Sequence, residues 1–325
     1  MSIRTRKTSR LAGMGAGLAA LAMVAAGCGD DDDAGGSSDF LTMGTGSTGG
    51  TYFPLGGVMA QVWTNEIDGL RVSTQASGAS VENLQLLVLG ELDLAMAING
   101  VASDALAGDV DLGGEDADIT YIGAVYKEVN QIIARADAGI TTVEDLAGKT
   151  VAIGPPGSGT AVFAEALLER AGIELGEARQ ETFGEAADLL RDGTIDASFG
   201  VLALPTGSLE EVALAVDLVL VSLEGDLLAQ TLEEDPTLTE VAYDGQYESI
   251  DQPATLVTNW ASLYARSDLD DDTACDLTRV LYENSDDIAA ANPTGSEIQL
   301  ETAQDGVADV PIHPGAQRFY DDGQC

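Results

Sequence analysis

A glycine-rich turn near the start of the chain carries residues that could hold a small anion. It follows an apolar run, Leu41–Met43, and leads into a helical pattern that begins near Tyr52. Glycine permits positive φ and close backbone approach, and the first amides of a helix have no partner within it. These amides carry partial positive charge, so they favour carboxylate or phosphate without a basic side chain. The candidate ligand-binding residues here are Gly46, Ser47, Thr48, Gly49, Thr51 and Tyr52, with Tyr52 at the mouth of the site.

A second glycine-rich turn repeats this arrangement later in the chain. Thr150–Ile153 is typical of a strand, and a helical pattern runs from the turn to about Ala171, where Gly172 ends it. The sequence G-x-[LI]-D follows a helix in both regions and ends at Asp93 and Asp196, which we interpret as turn-stabilising residues. The chain therefore contains two like α/β units, with ligand expected at the carboxyl ends of their strands. The candidates in the second turn are Gly157, Ser158, Gly159 and Thr160.

Other candidates follow neighbouring strands. They are Ser77, Gly78 and Ser80 before a helix, Asn99 after a buried strand, and Pro205 at the end of a loop. Arg71 and Arg135 are the nearest basic residues in sequence. We favour capture of the ligand by backbone amides and hydroxyls over capture by either arginine.

Other readings of the two turns stay open. Residues 44–49 match the dinucleotide fingerprint G-x-G-x-x-G, with Glu66 or Asp68 at the spacing of a ribose-binding acid. The second turn has the spacing of a phosphate-binding loop, yet Thr160 and Ala161 stand where lysine and a hydroxyl residue belong. A plain strand-to-helix turn is the third reading. We favour a solute site over all three.

No catalytic constellation accompanies these turns. The chain has one histidine, His313, far from both turns in sequence, and no histidine and cysteine cluster of the kind that binds zinc. The sequence therefore predicts a protein that is not an enzyme and that needs no cofactor or metal.

The N-terminus predicts export and anchoring. Four basic residues precede the apolar, alanine-rich run Leu11–Gly27, which is typical of a secretory signal peptide. The run ends at Ala25-Ala26-Gly27-Cys28, which resembles a bacterial lipobox with Ala25 where leucine is usual. We predict a signal peptide at residues 1–27, lipidation of Cys28, a flexible acidic tether at 28–39, and attachment to the outer face of the cell membrane. An ordinary signal peptide, with Cys28 paired to another cysteine, is the alternative.

The charge excludes one class of partner. The full chain has 14 basic and 55 acidic residues, a net charge of −41. Residues 1–27 contain four of the basic residues and none of the acidic ones, so the mature chain has a net charge near −45. A surface this acidic excludes nucleic acid as a partner.

Two cysteines remain once Cys28 is assigned to lipid. Cys275 and Cys325 are an even pair in an oxidising compartment, so we predict one disulfide that ties the C-terminus to the folded body. Two free thiols are the alternative.

Several motifs, taken in order, resemble those of the TAXI family, the extracytoplasmic solute receptors of tripartite ATP-independent periplasmic (TRAP) transporters. The resemblance covers residues 41–320, nearly the whole mature chain. The matching segments are GTG at 44–46, GGTY at 49–52, LGG at 55–57, SVENL at 80–84, GKTVAIG at 148–154, GSGT at 157–160, DASF at 196–199 and HPGA at 313–316.

The resemblance implies a two-lobed, type II periplasmic-binding-protein-like fold of α/β class, each lobe an open, mostly parallel sheet flanked by helices. Lobe 1 would take residues 40–134 plus 258–325 and lobe 2 residues 135–257. It also implies a receptor, which we expect to be monomeric, that closes on glutamate, glutamine or a related dicarboxylate and delivers it to TRAP membrane permease subunits. Asn99 departs from the family, where an acidic residue is frequent. A binding lipoprotein of an ABC-type importer, a secreted enzyme and a surface adhesin are the alternatives.

Overall fold

The computed structural model describes residues 39–113 and 118–325, so the predicted signal peptide, Cys28 and most of the tether lie outside the described residues. Strands and helices alternate along this part of the chain. The strands are β1 (Asp39–Gly44), β2 (Leu70–Gln75), β3 (Leu94–Ile98), β4 (Thr120–Arg135), β5 (Thr150–Ala152), β6 (Glu177–Arg179), β7 (Ala197–Leu202), β8 (Leu218–Leu220), β9 (Thr239–Tyr243) and β10 (Ala254–Ala265). The helices are α1 (Tyr52–Glu66), α2 (Ser80–Val88), α3 (Asn99–Ala107), α4 (Gly159–Ala171), α5 (Phe183–Arg191), α6 (Gly207–Ala213), α7 (Gly225–Glu234), α8 (Asp271–Glu283), α9 (Ser285–Ala291) and α10 (Pro314–Asp322).

The sheet contains two parallel triplets joined by two antiparallel strands. The main strand order is β2-β1-β3-β10-β4-β7-β5-β6, with β8 paired to β4 and β9 paired to β10. Strands β1, β2 and β3 are parallel, as are β5, β6 and β7. Strands β4 and β10 run antiparallel to their neighbours. The predicted α/β class, with parallel strands and flanking helices, is confirmed.

The two triplets repeat one design, as the spacing of the sequence motifs predicts. Each places its first strand in the middle and its glycine turn after that strand. Asp93 Oδ2 accepts a hydrogen bond from the Thr42 amide at 2.8 Å, and Asp196 Oδ2 accepts one from the Thr150 amide at 2.8 Å. Both carboxylates therefore tie the start of the third strand of a unit to its first strand. The interpretation of these acids as turn-stabilising residues is confirmed.

Strands β4 and β10 pass from one triplet to the other. The sequence predicts two short strands, Ile119–Val125 and Gln131–Ala134, whereas the structure has the single strand β4. The polar residues between them remain extended because Tyr126–Asn130 pairs with β10. The last six residues before Arg135, Val129–Ala134, pair with β7 of the second triplet. Strand β4 thus carries the chain from the first triplet to the second.

Apolar side chains pack on both faces of each triplet, beneath the helices. The Trp63 indole donates to the Leu277 carbonyl at 2.9 Å and ties α1 to α8. Cys275, in α8, is joined by a disulfide to Cys325, with their Cα atoms 5.6 Å apart, which attaches the C-terminus to the body. Among the described residues, no helix combines the length and the apolar character that crossing a membrane requires.

Candidate ligand-binding site

The backbone of the first glycine turn contacts the second unit. A Cβ atom on Gly49 would lie 2.6 Å from the Gly184 amide nitrogen, and one on Gly50 would lie 3.0 Å from the Phe183 ring. A Cβ atom on Gly78 would likewise collide with the Pro156 carbonyl oxygen. A larger residue at Gly49 or Gly78 would meet backbone atoms, which cannot rotate away. The glycines of this region therefore allow the two units to approach at backbone distance.

The start of α2 is occupied by the second glycine turn. The Gly157 carbonyl accepts hydrogen bonds from the amides of Val81 at 3.0 Å and Glu82 at 3.2 Å. Gly157 has φ +73°, a left-handed backbone that favours glycine. The expectation that the helix start at Ser77–Ser80 presents its amides to a ligand is therefore corrected for this arrangement. The amides of Gly78 and Ala79 bind the Glu82 carboxyl group at 2.7 Å and Ser77 Oγ at 3.0 Å, and the next helix amides bind a carbonyl of the other unit.

A small enclosed pocket lies where the two turns meet. Its volume is about 20 Å³, which is room for about one water molecule. Entry of a larger solute requires the two turns to separate. The lining residues are Gly46, Ser47, Gly50, Thr51, Tyr52, Ala79, Ser80, Ile98, Glu128, Ser158, Gly159, Thr160, Phe183, Val201 and Leu202.

Hydroxyl groups supply most of the polar lining. Thr51 Oγ1 accepts from the Ala203 amide, and Thr160 Oγ1 accepts from the Val201 amide, both at 3.1 Å. Ser80 Oγ accepts from the Ile98 amide at 3.1 Å. Each of these oxygens acts as an acceptor. The hydroxyls of Ser80 and Thr51 also form hydrogen bonds with the phenols of Tyr52 and Tyr126, so of these three the Thr160 hydroxyl hydrogen remains available to donate.

Two serines of the lining differ in how their hydroxyls are used. Ser158 Oγ accepts from the Ala161 amide at 3.0 Å and donates to the Pro155 carbonyl at 2.6 Å, so it caps α4. Ser47 is buried, and its Oγ has no hydrogen-bond partner among the described residues. Buried hydroxyls are normally paired, so Ser47 Oγ is a free polar contact at the first turn.

A buried carboxyl group closes one side of the pocket. Glu128, in β4, is 3% exposed, and its two carboxyl oxygens accept hydrogen bonds from the phenols of Tyr52 at 2.7 Å and Tyr126 at 2.8 Å. Burial raises the pKa of Glu128 to about 8, against the opposing effect of the two phenol hydrogen bonds. No lysine, arginine or histidine is among the lining residues. The acid is therefore mostly protonated, and uncharged, at neutral pH.

Tyr52 is not at the mouth of the site. It is 5% exposed, and its hydroxyl binds Glu128 inside the protein. Its ring packs edge-on against Tyr126, with ring centroids 6.2 Å apart. Tyr52 is buried because its phenol binds Glu128 of β4. The sequence of the turn alone does not reveal this partner.

The structure brings eight of the fifteen candidate ligand-binding residues into the pocket lining. These are Gly46, Ser47, Thr51, Tyr52, Ser80, Ser158, Gly159 and Thr160. Three of the other seven, Gly49, Gly78 and Gly157, form the contacts between the two units. Ser77 Oγ donates to the Asn83 side chain at 2.6 Å, within the first unit. Thr48 and Pro205 are exposed and lie outside the lining.

Asn99 belongs to a different, larger cleft of about 740 Å³. Its Oδ1 accepts from the Trp260 amide at 3.2 Å, so the side chain joins α3 to β10. Lys127 and Asp235 also line this cleft, and Ile98 and Gly159 line both cavities. Asn99 is therefore separated from the enclosed pocket by the contact of Ile98 with Gly159.

Neither candidate arginine lines the enclosed pocket. Arg135 forms an ion pair with Asp137 at 2.8 Å and donates to the Leu190 carbonyl at 2.8 Å. Arg71 is exposed on β2. Both lie away from the carboxyl ends of β1 and β5, where the glycine turns begin. The preference for backbone and hydroxyl groups over these arginines agrees with their positions.

Sequence reasoning missed the acid and the apolar residues of the lining. Glu128 is the one acidic residue of β4, and a carboxyl group within a strand of mostly apolar residues is the available signal for it. Ile98, Phe183, Val201 and Leu202 carry no such signal, because their place in the lining depends on how the two units meet.

Comparisons with known proteins agree with this architecture. Residues 43–322 match the model of the NMT1-like family. A solved structure described as a periplasmic transporter shares 15% identity, covers 87% of this chain and 92% of its own, and superposes with a TM-score of 0.51. A protein from Bordetella bronchiseptica RB50 shares 16% identity, with coverage of 86% and 87% and a TM-score of 0.52. The periplasmic aliphatic sulphonate binding protein of Escherichia coli shares 16% identity, with coverage of 88% and 84% and a TM-score of 0.47. The two structures with TM-scores above 0.5 confirm the predicted periplasmic-binding-protein-like α/β fold.

Proposed function

The chain belongs to the NMT1-like family, and we propose that it is an extracytoplasmic solute receptor that captures a small carboxylate between its two α/β units. The observation that carries this proposal is the meeting of two glycine turns, each at the start of a helix, around an enclosed pocket lined by hydroxyl groups. Glutamate, glutamine and related dicarboxylates are the proposed solutes.

The solute carboxylate binds amides and hydroxyls rather than a basic side chain. Helix α4 offers the amides of Gly159 and Thr160, since its next amide, of Ala161, already binds Ser158 Oγ. Thr160 and Ser47 add hydroxyl donors. A mature chain with a net charge near −45 repels anions at long range, so short-range positive potential at helix starts has to hold one.

Strands β4 and β10 form the proposed hinge between lobe 1, residues 40–134 plus 258–325, and lobe 2, residues 135–257. Opening at these strands would separate Gly157 from the start of α2 and expose the pocket. Closure over the solute would exclude water, which strengthens every polar contact inside.

The receptor is proposed to work as a monomer, held to the outer face of the membrane through lipid on Cys28, and to deliver its solute to a TRAP-type permease. The TAXI-like motifs favour this permease class. A binding lipoprotein of an ABC-type importer is the alternative, and the permease genes beside this one distinguish the two.

A stability screen tests the proposed function. L-Glutamate, L-glutamine, glutarate and succinate are added to the purified protein, and the free energy of unfolding is measured. A bound solute at 100 times its Kd is expected to add about 2.7 kcal/mol. Sodium chloride at matched ionic strength is the control, because salt alone screens an acidic surface. Putrescine and glucose are the counter-probes. Stabilisation by either of these, with none by the carboxylates, would refute the proposal.

A further inference from the structure

Glu128 is the carboxyl group of the enclosed pocket, and its position gives it direct access to a bound solute. It lies in β4, between the two units, and lines the pocket together with hydroxyl residues from both glycine turns. The inference below rests on the proposed function, because it concerns how a carboxylate binds at this same site.

Among the residues that the structure describes, those that face the Glu128 carboxyl group carry no positive charge. From α1 the phenol of Tyr52 faces it, and from its own strand the phenol of Tyr126 does. From β10, Thr258 Oγ1 donates to the Glu128 backbone carbonyl at 2.7 Å and leaves the carboxyl group untouched. An ionised carboxylate and an anionic solute would therefore share a dry pocket without a cation, which is strongly unfavourable.

We propose that Glu128 makes solute binding proton-linked: the pocket accepts a carboxylate anion only while the Glu128 carboxyl group is protonated. The protonated acid accepts a hydrogen bond from a phenol at each oxygen. The oxygen that carries the proton also donates, so the acid can bind two phenols and a solute oxygen. When Glu128 is ionised, binding of the solute anion is accompanied by uptake of one proton from solvent. The proton converts the Glu128 carboxylate to the neutral acid, and the solute stays an anion. Glu128 thus selects against the solute at alkaline pH.

Calorimetric titration with glutarate tests this proposal, because glutarate has no amine and keeps the same charge from pH 7 to 9.5. With the Glu128 pKa near 8, affinity is expected to fall about 30-fold between these pH values, and about one proton is taken up per solute at pH 9.5. Proton uptake is measured by repeating the titration in buffers of different ionisation enthalpy. Glu128→Gln is expected to bind glutarate equally at both pH values, while Glu66→Gln, at an exposed position on α1, follows the wild type.

Tyr126→Phe provides a second variant that keeps the carboxyl group. The Tyr126 hydrogen bond opposes the rise of the Glu128 pKa, so its loss is expected to move the midpoint of the affinity decrease to higher pH. A purely structural role of Tyr126 would change affinity equally at every pH and leave this midpoint where it is.

Three results would overturn the proposal. Affinity of the wild type for glutarate could be independent of pH. Glu128→Gln could lose affinity with rising pH as the wild type does. L-Glutamate could bind while glutarate does not, with affinity that rises with pH and is lost in Glu128→Gln, which would make Glu128 the partner of an ammonium group. Failure of the proposed function differs from all three, since folded wild type and variants would then bind no carboxylate at either pH.

Discussion

The free energy of unfolding of the Glu128→Gln variant, minus that of the wild type, is expected to be about 4 kcal/mol larger at pH 8.5 than at pH 5. The pKa of Glu128 is raised by burial from 4.5 to about 8 in the folded protein. Between these pH values the folded chain holds a proton that the unfolded chain releases. The stability contributed by the neutral acid is therefore complete below pH 4.5 and is lost as pH rises to about 8. Glutamine has no such proton to lose.

Urea unfolding at constant salt concentration measures this difference. Glu66→Gln is the matched control, since it makes the same chemical change on an exposed surface. His313, whose pKa is lowered by burial, is present in every variant, and its contribution cancels in the comparison. A Glu128→Gln effect of the same size at pH 5 and pH 8.5 would mean that the buried acid is ionised throughout.

Replacing Gly157 with valine is expected to weaken solute binding at least tenfold, which corresponds to about 1.4 kcal/mol or more. The Gly157 carbonyl binds the first amides of α2, and a side chain at this position would lie 3.3 Å from the Glu82 Cβ atom. Valine also disfavours the left-handed backbone found there. Both effects oppose the approach of the second turn to α2, so they oppose closure over a solute.

Gly148→Val separates closure from general destabilisation. Gly148 has φ +72°, nearly equal to that of Gly157, but no atom lies within 4 Å of the Cβ position. Both variants therefore carry similar backbone strain, but only the new side chain of Gly157→Val contacts α2. Calorimetry with the best carboxylate of the stability screen is expected to show wild-type affinity for Gly148→Val. Equal loss of affinity in the two variants would assign the effect to strain and not to closure.

The glycine turns could be located from the sequence because their chemistry is local. Strand, turn and helix follow one another within a few residues, and the repeat of Asp93 and Asp196 marks two units of the same design. Seven of the candidate residues that line the pocket lie in the two turns, and Ser80 lies at the start of another helix. The sequence predicts ligand contacts for Gly49, Gly78 and Gly157, whereas these glycines form contacts between the two units. The sequence does not show how the units meet.

Glu128 could not be assigned for a related reason. Its partner Tyr52 is 76 residues away in sequence, and only the fold places the phenol against the acid. The same distance effect explains Tyr52 itself, which is buried although its turn suggests an exposed position. Asn99 follows a buried strand, which predicts a ligand contact, yet its side chain binds the backbone of β10. The sequence around residue 99 does not reveal this pairing.

Amide hydrogen exchange of the protein with and without its carboxylate solute tests most directly whether the two glycine turns close on that solute. The amides of Val81 and Glu82 bind Gly157, and the Ala203 amide binds Thr51, only when the units are together. We expect the solute to slow exchange in peptides covering residues 78–84 and 201–205, and to leave α10 unchanged. Saturating solute that leaves both peptides unprotected, or that protects residues 231–239 of the larger cleft instead, would contradict capture between the turns.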